Sequence, residues 1–103
     1  HVPIVTGSVE KNNLTNIFTV ASKIYEDEFL KTHIVEIHQD QNQAISLKAR
    51  VFNFEIILGD LNDLDKKINN LKAFYQKAKK DETLNTYSKV SLQFNNQVVC
   101  TKK

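Results

Sequence analysis

The stretch that decides the fold closes the chain: Tyr87-Ser88-Lys89-Val90-Ser91-Leu92-Gln93-Phe94-Asn95-Asn96-Gln97-Val98-Val99-Cys100-Thr101-Lys102-Lys103. Val90, Leu92 and Phe94 alternate with Lys89, Ser91 and Gln93, the period of two of a strand with one buried face. Asn95 and Asn96 both tolerate positive φ and suit the centre of a tight hairpin turn. Gln97 to Thr101 then returns antiparallel. A two-residue turn pairs Phe94 with Gln97, Leu92 with Val99, and Val90 with Thr101. Opposed residues share a face, so this register sends Val99 inward and Val98 and Cys100 outward. No later element of this sequence can cover the last strand, which is therefore expected at a sheet edge. Such an edge is either an aggregation liability or a docking site for another chain.

Working outward, Asp60 to Asp65 is acidic and leads into a long helix. Asn62 is its expected cap with Asp65 three residues on, and clustered carboxylates favour the positive end of the helix dipole. Leu64, Ile68, Leu71, Tyr75 and Ala78 form one apolar stripe, widened by Phe74. Lys77, Lys79 and Lys80 complement the dipole at the other end. Upstream lie three expected strands. Val35 and Ile37 face in, with Ile34, Glu36 and His38 out; a turn follows at Asp40-Gln41-Asn42-Gln43. Ile45, Leu47 and Ala49 face in on the second, and Phe52, Phe54, Ile56 and Leu58 on the third, which ends at Gly59. An earlier helix runs from about Asn12 to Tyr25, with Asn12 or Asn13 as cap and Leu14, Ile17, Phe18, Ala21, Ile24 and Tyr25 as its apolar side. Phe29 and Leu30 make a short turn under the core. His1 to Gly7 is an extended lead-in.

The expected fold is α+β: an antiparallel sheet of about five strands in the order α-β-β-β-α-β-β, with two helices on one face and an edge hairpin at the end. Residues 1–103 are expected to make one domain, since a chain of 103 residues supports one core but not two. A formal net charge of +2 is too small to argue for nucleic acid by itself. No apolar run of about eighteen residues is present to span a membrane. The chain opens on His1 rather than Met, the start expected of a piece of a longer protein. The lone Cys100 excludes an internal disulfide.

Searching for chemistry yields little. Asp60-Leu61-Asn62-Asp63-Leu64-Asp65 superficially matches a calcium loop but lacks its glycine, and Leu71 stands where the terminal glutamate belongs. His33 and His38 are placed on opposite faces of a strand; Glu36 and His38 share one face without further ligands. Cys100 has no nucleophile motif around it. With only Gly7 and Gly59, no glycine-rich phosphate loop is possible. No metal, cofactor or catalytic residue is expected. Lys66, Lys67, Lys72, Lys77, Lys79 and Lys80 give the long helix a basic outer face. Read as function this is a nucleic-acid surface; without interleaved aromatics or arginines it is an ordinary solvated face.

Four blocks together carry a more specific signal: His1-Val2-Pro3-Ile4-Val5-Thr6-Gly7, Ile56-Ile57-Leu58-Gly59, Lys66-Lys67-Ile68 through Leu71-Lys72-Ala73-Phe74-Tyr75, and the closing hairpin. In this order and spacing they resemble the C-terminal β domain of the FtsQ/DivIB cell-division family, in its Bacteroidota form. The resemblance spans nearly the whole chain. It implies a non-enzymatic scaffold of the divisome, used in septum assembly. Family members are single-pass inner-membrane proteins with a membrane helix and a POTRA domain before this periplasmic domain. The resemblance further implies FtsB/FtsL-type (DivIC-like) partners, bound by strand addition to the terminal sheet edge. Carried onto this sequence, the partner-binding residues are Phe94, Gln97, Val98, Val99, Cys100, Thr101 and Lys102. Neither nucleic acid nor a small-molecule substrate is implied. Proteobacterial members carry a Ser-Gly type turn and a late tryptophan, where this chain has Asn95-Asn96 and no tryptophan.

Overall fold

The computed structural model describes residues 3–50, 54–94 and 97–103. In chain order its elements are β1 (Ile4–Gly7), α1 (Thr15–Glu26), α2 (Glu28–His33), β2 (Ile34–Gln39), β3 (Ile45–Ala49), β4 (Glu55–Gly59), α3 (Leu64–Lys80), a short 3₁₀ turn (Leu84–Thr86), β5 (Tyr87–Phe94) and β6 (Gln97–Lys102). The fold is α+β, as expected, but the sheet is six-stranded and mixed, with strands side by side in chain order. The antiparallel sheet of about five strands is corrected at two junctions: β1 pairs with β2, and β4 with β5, in parallel.

Both corrections have one cause. A hairpin reverses the chain, whereas a helix between two strands returns it to the end where the first strand began, so the second strand runs parallel. The helices between β1 and β2, and α3 between β4 and β5, are such crossovers. Both step the same way along the sheet from strands that point the same way. The right-handed preference for crossovers then places all three helices on one face. The lead-in at Ile4–Gly7 becomes a strand because parallel pairing with β2 is available to it.

The inner face is continuous across every strand. Val5, Ile37, Leu47, Ile56, Val90 and Cys100 are register partners in a single row. Ile37, Leu47, Ile56 and Val90 are buried there, beneath Ile17, Val20 and Ile24 of α1, Leu30 of α2, and Leu64, Ile68 and Leu71 of α3. At roughly 1.5–3 kcal/mol for each fully buried aliphatic side chain, this row and its cover are the main source of stability.

Several local expectations are corrected. In β2 a bulge between Ile34 and Glu36 sets an extra residue against β3, which turns Ile34 as well as Ile37 inward and leaves Val35 half-buried. His33 ends α2 rather than entering a strand, and its ring stacks on Phe29 at 4.6 Å. In α1 the buried positions are Ile17, Val20 and Ile24, while Phe18 and Tyr25 are 63% and 74% exposed. Asn13 does not cap α1. Its Oδ1 accepts the Glu10 N–H at 2.8 Å and its Nδ2 donates to the Ser8 carbonyl, so it braces the preceding loop. Asn62 does not cap α3, whose N-cap is Asp63 in a left-handed conformation; the Asn62 N–H instead donates to Asp60 Oδ1. The strand residue expected at Phe52 lies outside the described residues.

Lys67 is the largest departure on α3. Placed by its neighbours on a solvated basic face, it is only 8% exposed. Its ammonium donates to the Leu58 carbonyl at 2.9 Å, the Asp60 carbonyl at 2.7 Å and Asp60 Oδ1 at 3.2 Å. Three oxygens match the three N–H donors of the ammonium, which is how its burial is tolerated. The contact ties the first turns of α3 to the end of β4. Lys67→Met keeps the stem and removes the donors; it is expected to lower unfolding stability by about 1.5–3 kcal/mol in urea titration. Lys66→Met, at an exposed position, should stay within about 0.5 kcal/mol.

Asp27 joins the helices. Its Oδ1 accepts the Leu30 N–H at the start of α2, and its Oδ2 pairs with the Lys72 ammonium of α3. Burial pushes its carboxyl up, but the Lys72 hydrogen bond and the Leu30 N–H outweigh that and hold it below the ordinary carboxylate range. A carboxyl depressed in the folded state stabilises fully above its unfolded value, near about 3.9, and loses that contribution as pH falls through the folded value. The stability gap between wild type and Asp27→Asn should therefore be widest near pH 7 and narrow as pH falls below about 3.9, as read by chemical denaturation at each pH.

Candidate functional site

The closing hairpin forms as β5 and β6, and β6 lies at one edge of the sheet with no strand beyond it among the described residues. Phe94 pairs with Gln97, as a two-residue turn requires, while Asn95 and Asn96 themselves lie outside the described residues. Below the turn the register departs from expectation. Leu92 and Gln93 of β5 together stand against Val98 of β6, a two-against-one bulge, and Ser91 therefore faces Val99, and Val90 faces Cys100. A second irregularity follows between Tyr87 and Lys89, leaving Tyr87 opposite Lys102.

This slip by one residue inverts β6. Val98 and Cys100 pack half-buried against the core, and Val99 is 38% exposed on the open face. The expected arrangement, with Val99 inside and Val98 and Cys100 outside, is overturned. The cause is the period of two: one extra residue on the partner strand exchanges the two faces of everything beyond it. Phe94, expected to face in, is 52% exposed near the tip of the hairpin. Gln97, Thr101 and Lys102 are exposed. The seven residues carried over from the family thus divide between the strand's two faces, while the outer backbone edge of β6 is common to Gln97 to Lys102. Burial raises the Cys100 thiol above its ordinary value, which reduces its thiolate fraction.

At the opposite edge the parallel pairing of β1 with β2 assembles a group that sequence reasoning missed. The Thr6 hydroxyl donates to Glu36 Oε2 at 2.8 Å and lies 2.9 Å from His38 Nδ1. A carboxylate only accepts, so the single hydroxyl proton goes to Glu36 and the imidazole Nδ1–H donates to Thr6. This polarity is the reverse of an activated nucleophile, in which the hydroxyl donates to the imidazole. Glu36 and His38 do share a face, as expected, but Thr6 lies some thirty residues away in sequence and was invisible without the pairing. No group of three His, Cys, Asp or Glu side chains able to hold a metal occurs among the described residues. No helix among them is long and apolar enough to cross a membrane. The basic face of α3 is also thinner than the sequence implied, because Lys67 is buried and Lys72 is paired with Asp27.

The sheet is mixed, carries its helices on one face, and ends at β1 on one side and β6 on the other. The chain belongs to the FtsQ/DivIB C-terminal-related family, whose model matches residues 1–101. That family acts in bacterial cell division as a scaffold rather than an enzyme; its members are membrane-anchored, face the periplasm and work with protein partners of the division complex. No curated protein matches the chain in sequence.

The register is directly testable. Val98→Glu places a carboxylate against the core and should cost about 1–3 kcal/mol of unfolding stability, whereas Val99→Glu should stay within about 0.5 kcal/mol. Thermal or urea unfolding with the opposite ranking would restore the unbulged register.

Proposed function

We propose that the edge of β6, from Gln97 to Lys102, receives a strand from an FtsB/FtsL-type partner, on the periplasmic side of the inner membrane during septum assembly. The observation that carries this reading is that the last strand of a division-scaffold domain pairs with β5 on one side and, among the described residues, with no strand on the other. In strand addition, main-chain hydrogen bonds supply affinity and alternate side chains supply specificity. With the bulged register, the side chains offered on the open face are Val99 and Thr101, and those on the helix face are Val98, Cys100 and Lys102. Residues 1–103 serve as one domain in this role: the three helices and first four strands hold β5, and β5 holds the edge.

A synthetic peptide from the C-terminal region of the partner, titrated into the isotopically labelled chain, should shift the backbone amide signals of Gln97 to Lys102. Shifts confined to β1 or the helices would sink the reading. Replacing Val99 by proline, which has no N–H and disfavours a continuous ladder, should weaken the partner peptide at least tenfold if this backbone is the contact.

A further inference from the structure

Two hydrogen bonds at the end of the hairpin fix which backbone groups β6 turns outward. The Lys103 N–H donates to the Thr86 carbonyl at 2.9 Å, and the Ser88 hydroxyl donates to the Thr101 carbonyl at 3.3 Å. Lys103 and Thr101 therefore direct their backbone toward β5. Lys102, which lies between them and opposite Tyr87, belongs to the kind of antiparallel pair that exchanges no bonds of its own. Both irregularities of the hairpin lie in β5: between Tyr87 and Lys89, and between Ser91 and Phe94, it has one residue more than β6. The alternation along β6 is thus unbroken. Gln97, Val99, Thr101 and Lys103 turn N–H and C=O to β5, while Val98, Cys100 and Lys102 turn theirs to the side where no strand stands among the described residues.

The outward-bonding residues also carry the strand's inward side chains. Val98 and Cys100 are half-buried against the core, and Cys100 ends the row of Val5, Ile37, Leu47, Ile56 and Val90. Residues directly opposite across a ladder share a face. A strand added at this edge sets its own alternate residues beside Val98 and Cys100, where they extend an apolar row.

We propose that Val98, Cys100 and Lys102 supply the N–H and C=O groups that a partner strand bonds, and that the accepted strand carries apolar side chains at the alternate positions lying beside Val98 and Cys100. The inference rests on strand addition at β6 and names its contact groups and the chemistry of the strand it selects. A wholly polar strand can form the same ladder, but it desolvates hydroxyl or amide groups against Val98 and Cys100. Val99 stands on the other side of this division. Its N–H faces β5, so Val99→Pro weakens a partner by loosening β6, whereas Cys100→Pro removes an outward donor and leaves the hairpin ladder whole.

Hydrogen exchange of the isotopically labelled 103-residue chain reads the alternation directly. Without ligand, the Val99 and Thr101 amides should exchange at least tenfold more slowly than those of Val98 and Cys100. The probe is the peptide Ser-Thr-Val-Thr-Val-Thr-Val-Thr-Ser, which reads the same in either strand direction, and its counterpart has threonine in place of every valine. At saturation the valine peptide should slow exchange at Val98 and Cys100 at least tenfold, and it should bind at least tenfold more tightly than the counterpart. Val98→Thr/Cys100→Ser should largely abolish that preference, and Val99→Thr, on the open face, should keep it. Should the two pairs of amides exchange alike in the free chain, or in the reverse order, the assignment of outward groups is overturned. If both peptides slow Val98 and Cys100 with equal affinity, the apolar selection is overturned and strand addition stands. If neither slows them, strand addition falls and takes the inference with it.

Discussion

The parallel pairing of β4 with β5 is the junction on which the molecule depends. Among the described residues three register pairs make it: Glu55 with Lys89, Ile56 with Val90, and Ile57 with Ser91. On one side of it lie four strands and two helices, and on the other the closing hairpin. Ile56 and Val90 are both fully buried at its centre, beneath α3. The Lys67 ammonium fastens α3 to the end of β4 at the point where the crossover begins. A parallel pair lacks a hairpin's local closure, so its register has to be held from outside. Here the crossover helix holds it, through a buried cation at one end and the Phe74–Tyr87 ring contact at the other.

The open face of the sheet shows a second consequence of that register. Glu36, Lys48, Glu55 and Lys89 are successive cross-strand partners on β2, β3, β4 and β5, and their charges alternate. Opposite charges facing each other across strands favour the observed pairing, and a slip of one residue would place charges on the core side. This row is thus self-complementary in charge. Beside it, β6 has β5 on one side and, among the described residues, no strand on the other.

How far this was legible depended on the range of the signal. Alternation at Ile45, Leu47 and Ala49, and at Phe54, Ile56 and Leu58, is local and marked two strands with their buried faces. The stripe from Leu64 to Ala78 marked α3 and its inward side. Of the candidate site, the existence of a terminal strand and the Phe94–Gln97 pair were readable. Its faces were not, because the bulge that sets Leu92 and Gln93 against Val98 turns Val98 and Cys100 toward the core, and alternation within either strand does not report it. The Thr6, Glu36 and His38 group was hidden for a similar reason: four residues after a proline carry no alternation strong enough to announce a strand.

By itself the sequence determined the fold class, the places of the long helix and most strands, the hairpin at the end, and through four spaced blocks the family to which the chain belongs. These rest on periodicity and local turn chemistry, which act over a few residues. Only the tertiary structure decided that two strand pairs run parallel, that Lys67 is an internal strut rather than part of a basic surface, and that Val99 instead of Val98 looks out from the edge. Each of those depends on which distant backbone oxygens and side chains are brought together. A period of two in one strand cannot report a residue inserted in its neighbour.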